Sequence, residues 1–179
     1  MFRLIRVLFV CLLIACVPLA GAVVLSVNGD GETGDLIGWY ANKTDTLKIS
    51  QNKPHSGNYC ISYTAKKKSE GLVNIPCTGV LDRSGDAPVE GTVWLRCGIP
   101  LKVKFLLNFY KDGELTHNKE LEKTILPKKW QELKIETKTE AGDDEVRALI
   151  IIPEGATIDV DDVSVDGPMA SIVTEWEMY

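Results

Sequence analysis

The sequence predicts an all-β protein: two antiparallel sheets packed as a β-sandwich (jelly roll), preceded by a signal peptide. Three observations carry that prediction. After residue 23 no stretch holds an apolar period of 3.6. Short segments of alternating apolar and polar residues recur instead, cut by Gly- and Asp-rich turns. The opening residues, by contrast, are basic and then almost wholly apolar. The chain has 179 residues, 45% apolar and 25% charged, which is ordinary for a globular protein and excludes wholesale disorder. Twenty-five acidic against twenty basic residues give a net charge of −5, which argues against nucleic acid as the main partner.

Residues 1–22 read as an export signal. Arg3 and Arg6 form the positive start, Val7 to Ala20 the apolar run, and Ala20-Gly21-Ala22 the small residues of a cleavage site. The run is short and wrongly flanked for a transmembrane helix, so no integral span is expected after processing. Leu13-Ile14-Ala15-Cys16 is similar to a bacterial lipobox, so a lipid anchor at Cys16 is the alternative route. Either route takes the protein out of the cytoplasm, to a secreted, cell-surface or periplasmic location. Loss of Arg3 and Arg6 takes the net charge from −5 to −7. Cys60, Cys77 and Cys97 remain, an odd number whose spacing matches no zinc signature. One disulfide with one thiol, or three buried thiols, both remain open.

The domain proper covers 23–167, with a tail at 168–179. Strands are expected at 23–28, 46–51, 58–65, 71–76, 89–97, 101–111, 130–138, 145–152 and 157–166. Turns such as Asn28-Gly29-Asp30-Gly31, Ser56-Gly57-Asn58 and Lys111-Asp112-Gly113 punctuate them. The segment 114–125 reads as either strand or excursion. Side chains alternate across a strand, so Val103, Phe105, Leu107 and Phe109 share one face and Lys104, Leu106, Asn108 and Tyr110 the other. The same parity puts Val93, Leu95 and Cys97 in the core and leaves Trp94 and Arg96 outside. It buries Val146, Ala148, Ile150 and Ile152 and leaves Arg147 outside. These second faces mix aromatic, amphipathic and hydrogen-bonding groups, the chemistry of a sugar platform. Solvated faces, or faces covered by a second layer, are the plainer alternative.

Three ordered patches then resemble the carbohydrate-binding modules of the family 4/9/22 group. They are Asn28-Gly-Asp-Gly-Glu32 with Gly38-Trp39, His55-Ser56-Gly57-Asn58-Tyr59, and Trp130-Gln-Glu-Leu followed by Ile158 to Val165. The match spans about 28–166, departing at Gly31, where the family usually has Phe, and at Cys60, where it usually has Ser. The resemblance implies a galactose-binding-domain-like jelly roll and non-catalytic polysaccharide binding. It also implies a structural calcium near the chain ends, for which Glu32 and one of Asp161 or Asp162 would supply oxygens. Strand alternation separates Asp161 from Asp162, so only one is expected at a given site. Asp162 capping a turn is the alternative. Trp39 and Trp130 are assigned to packing at the sandwich edge.

The expected ligand set is Trp94, Arg96, Lys104, Asn108, Tyr110 and Arg147 on one surface, with Tyr40 walling one end. Trp94 and Tyr110 are expected to stack on sugar rings, and the basic groups to favour uronate-bearing or sulfated glycans. An enzyme is not expected, since the cluster Glu114, Glu120 and Glu122 does not read as paired carboxylates across a cleft. A structural or adhesion module that binds protein is the alternative function. Cleavage after Ala22 predicts an exported protein beginning at Val23 by intact mass; a lipidated species beginning at Cys16 would establish the other route.

Overall fold

The computed structural model describes residues 23–66, 70–74 and 81–169. The expected signal peptide with Cys16, Cys77, and residues 170–179 of the tail lie outside the described residues. Those described form eleven strands and no helix. They are β1 (Val23–Val24), β2 (Trp39–Ala41), β3 (Thr46–Ser50), β4 (Cys60–Thr64), β5 (Leu72–Asn74), β6 (Pro88–Cys97), β7 (Leu101–Lys111), β8 (Glu114–Ile125), β9 (Gln131–Lys138), β10 (Glu145–Ile151) and β11 (Thr157–Gly167). The segment 114–125 is therefore a strand. The expected strand at 23–28 shortens to β1, because Asn28 already turns the chain at φ +48°. Three-residue β2 is too short to leave a period-2 signal.

The strands make two antiparallel sheets. Sheet I has the order β3-β4-β11-β6-β9, with β1 also pairing β11, and sheet II has the order β2-β5-β10-β7-β8. Alternation settles which side chains meet between them. Val93, Leu95 and Cys97 of β6, Ile158 and Val160 of β11, Val103, Phe105, Leu107 and Phe109 of β7, and Val146, Ala148 and Ile150 of β10 are all buried in one cluster. Burying a side chain of this size is worth roughly 1.5–3 kcal/mol, which makes this seam the main source of stability.

One consequence departs from the expectation. β6 and β7 follow each other directly, yet β6 pairs β11 and β9 whereas β7 pairs β10 and β8. The chain crosses between sheets at Gly98-Ile99-Pro100. The reason is apolar: each strand has one water-shy face, and two such faces are buried together only when they oppose each other across a sandwich. Gly91 records the closeness of that opposition, since a Cβ there would lie 2.6 Å from Cδ2 of Leu107 in the other sheet.

Truncating the seam should therefore be costly. Phe105→Ala is expected to lower unfolding free energy by about 3–5 kcal/mol. Lys119→Ala, on the exposed strand β8, should change it by less than about 0.5 kcal/mol. Urea unfolding of the two variants compares them directly.

Candidate functional site

The sheet assignment divides the expected ligand set. Trp94 and Arg96 lie on the outer face of sheet I, while Lys104, Asn108 and Tyr110 of β7, Arg147 of β10 and Tyr40 of β2 lie on the outer face of sheet II. The parity of each strand is as expected, but the two groups look out in opposite directions. The expectation of a single surface assumed that β6 and β7 pair, and they do not.

On sheet II the register lines residues up across the strands. Tyr40 pairs with Val73, Val73 with Leu149, Leu149 with Leu106, and Leu106 with Glu120. Strands lie about 4.8 Å apart, so the apolar row from Tyr40 to Leu106 is roughly 14 Å long. Tyr40 stands at its end with 57% of its surface exposed. The next row pairs Arg147 with Asn108 and Asn108 with Asn118.

The charges beside this row are already matched. Arg147 donates to both oxygens of Glu145 at 2.6 and 2.9 Å, and its guanidinium lies 4.3 Å from the centroid of the Tyr110 ring. Lys104 donates to Glu120 at 2.7 Å, and Lys102 pairs with Glu122 at 2.7 Å. One group stands apart: Oδ1 of Asn108 is buried and has no hydrogen-bond partner. A buried carbonyl oxygen without a donor is costly unless something supplies one, and it lies between Arg147 and the polar edge of β8.

The outer face of sheet I is covered by its own loop. His55 stacks on Trp94 with ring centroids 3.8 Å apart and meets Trp130 edge-on at 5.8 Å. Arg96 lies 4.7 Å over the Trp130 ring and donates to Asp159 at 2.7 Å. Its guanidinium also donates to the carbonyls of Lys53, at 2.6 Å, and Asn52. One face of Trp94 is thus taken by an imidazole, as one face of Tyr110 is taken by a guanidinium. Trp39 is buried with its indole N–H donating to the Asn28 carbonyl, and Trp130 donates to the Lys53 carbonyl, so both act in packing.

The three carboxylates expected to hold calcium are engaged otherwise. Glu32 accepts the backbone N–H groups of Asn58 and Tyr59, each at 2.7 Å, and those bonds hold its pKa below the usual value. Its carboxyl fills the space that a side chain at residue 57 would need, and Gly57 sits at φ +55°. Asp161 is fully buried and accepts from the N–H groups of His55 at 2.7 Å, Ser56 at 3.3 Å and Asp162 at 2.8 Å. Burial, then the charge of Asp162, pushes its pKa up to about 6. Asp162 accepts from Ser56 Oγ at 2.7 Å and meets His55 Nδ1 at 2.6 Å.

Both aspartates reach the 55–56 segment because a bulge between Asp161 and Ser164, with Asp162 at φ +46°, breaks the alternation expected there. Glu32 reaches a different part of that loop. No group of three or more His, Cys, Asp or Glu suited to a metal occurs among the described residues. As arranged, the oxygens of these three carboxylates accept hydrogen bonds from the chain around them.

Sequence reasoning missed His55 as the cover of Trp94, and Leu106 and Leu149 as parts of a continuous row. Only cross-strand register brings the latter two together.

No family model matches the sequence, and no characterised protein matches it at the sequence level. Solved structures do resemble it. The tandem CBM22-1–CBM22-2 domain of Paenibacillus barcinonensis Xyn10C superposes with a TM-score of 0.65 at 16% identity, over 88% of this chain and 48% of that one. The chain thus spans about half of the tandem. The single CBM22-1 xylan-binding domain of the same protein gives a TM-score of 0.59 at 13% identity, covering 83% of this chain and 95% of that one. An arabinose-bound α-L-arabinofuranosidase, MgGH51, gives 0.64 at 14% identity, over 81% of this chain and 26% of that one. The two-sheet jelly roll found here is the fold of the CBM22 carbohydrate-binding modules.

Proposed function

We propose that the protein is an exported, non-catalytic module that binds a neutral polysaccharide along the outer face of sheet II. The observation that carries this reading is the row of Val73 and Leu149 ending in exposed Tyr40, on a jelly roll of the CBM22 fold. A sugar chain offers C–H faces for such a row and hydroxyls for the polar groups beside it. A neutral chain suits the face better than a charged one, because Lys104 and Arg147 are already paired with Glu120 and Glu145. The same pairing, and that of Glu122 with Lys102, speaks for binding without hydrolysis, as none of Glu120, Glu122 and Glu145 stands free to act as acid or base. The neighbouring structures named as xylan-binding support a xylan-like ligand. Among the described residues no helix is long and apolar enough to cross a membrane.

We also propose that hydrogen bonds, in place of the expected ion, tie the two ends of the domain to the 55–59 loop.

Titration with xylohexaose tests the first reading. Tyr40→Ala should weaken binding about tenfold, the equivalent of about 1–2 kcal/mol for one aromatic contact, with an unchanged melting curve. Asn108→Leu should leave stability equal or higher, because it removes an unsatisfied buried carbonyl. Wild-type affinity in Tyr40→Ala would remove sheet II as the site. For the loop, melting curves with calcium and with chelator should coincide. Asp161→Ala should cost on the order of 2 kcal/mol or more, because it strands buried N–H groups.

A further inference from the structure

Six non-glycine residues among those described adopt a left-handed backbone with positive φ. Four are Asn28, Asp86, Asp112 and Asp162, residue types whose short polar side chains tolerate that region. The other two are Lys53 at φ +52° and Lys128 at φ +70°. Lysine gains nothing from this conformation, and both lysines line the same cleft, about 360 Å³ in volume, on the loop end of sheet I.

Their backbones are pinned from below. The Lys53 carbonyl accepts from Arg96 at 2.6 Å and from the Trp130 indole at 3.1 Å, and the Lys128 N–H donates to the Cys97 carbonyl at 2.9 Å. The charge of the lining is also uneven. Arg96 neutralises Asp159 within the cleft, and no carboxylate pairs with Lys53 or Lys128 among the described residues. The cleft therefore carries two uncompensated positive charges in a protein whose net charge is −5. Gly98 lines it too, and the space a Cβ would enter there is empty.

We propose that this cleft is a second binding site, separate from sheet II, for the anionic group of an acidic sugar: a uronate carboxylate or a sulfate ester. Its volume suits a single charged sugar residue, and the two exposed lysines that line it supply point charges for an oxyanion without any need for a fixed fork. The basic selectivity expected from the sequence thus moves to this cleft, away from Arg96, Lys104 and Arg147, which are each engaged by a carboxylate.

The probe is trigalacturonate, measured by calorimetry at low and high salt, with xylohexaose as the neutral comparison. Wild type should bind trigalacturonate, more weakly as salt rises. The double variant Lys53→Gly with Lys128→Gly should lose at least tenfold in that affinity. Glycine suits a left-handed backbone, so the variant's melting temperature should not fall. Lys53→Arg with Lys128→Arg should retain binding, which separates charge from shape. Unchanged trigalacturonate affinity in the glycine variant would overturn the proposal. So would lysine-dependent sedimentation with phosphatidylglycerol vesicles but no trigalacturonate binding, an outcome that would assign the lysines to a membrane surface. Xylohexaose affinity should be the same in the lysine variants, so failure of the sheet II reading and failure of this one give different results.

Discussion

The apolar seam between the two sheets is the constraint on which the rest of the molecule depends. β6 and β11 present one row of branched side chains, β7 and β10 present another, and neither row can face water. Closing them on each other fixes the position of every outward residue, because strand parity leaves no freedom once the inward set is chosen. The Tyr40–Leu106 row on sheet II and the loop-covered face of sheet I are the two reverse sides of that single packing decision.

A second interaction governs the loops. Asp161 lies fully buried at a bulge in the central strand of sheet I, and its oxygens gather three backbone N–H groups from the chain around it. Glu32 does the same for residues 58 and 59 from the other end of the domain. Together they hold the 51–59 loop against β6, where His55 covers Trp94 and the carbonyls of Asn52 and Lys53 receive Arg96. Carboxylates that accept several N–H bonds are strong fixed points, and here they do what a bridging ion would do in linking distant segments.

The two outer faces consequently differ in kind. On sheet II the ion pairs lie to the side of an apolar row whose exposed end is Tyr40, and the charges beside it are matched within the protein. On sheet I aromatic and cationic side chains are consumed in holding a loop, and Lys53 of that loop lines a cleft together with Lys128 of the β8–β9 connection. A chain with both features would hold a neutral backbone and an acidic substituent at separate places.

Much of this was legible in the residues themselves. Alternation along 101–111 and 145–152 identified the residues that face the core, because side-chain direction within a strand is a local property of the backbone, but not that Leu106 on the other face is also buried. Turn-forming residues marked where most strands end, and the outward positions of Lys104, Asn108, Tyr110 and Arg147 followed from the same parity. What parity cannot say is which strand lies beside which. β6 and β7 are neighbours in the chain but not in a sheet, since their apolar faces are buried only by opposing each other, and that outcome depends on every other strand present. Trp94 and Tyr110 were therefore separated, Leu106 and Leu149 were joined, and the acidic groups of residues 32, 161 and 162 turned toward backbone N–H donors. The sequence determined the faces of each strand; only the tertiary structure, through the need to close a common core, decided which faces share a surface.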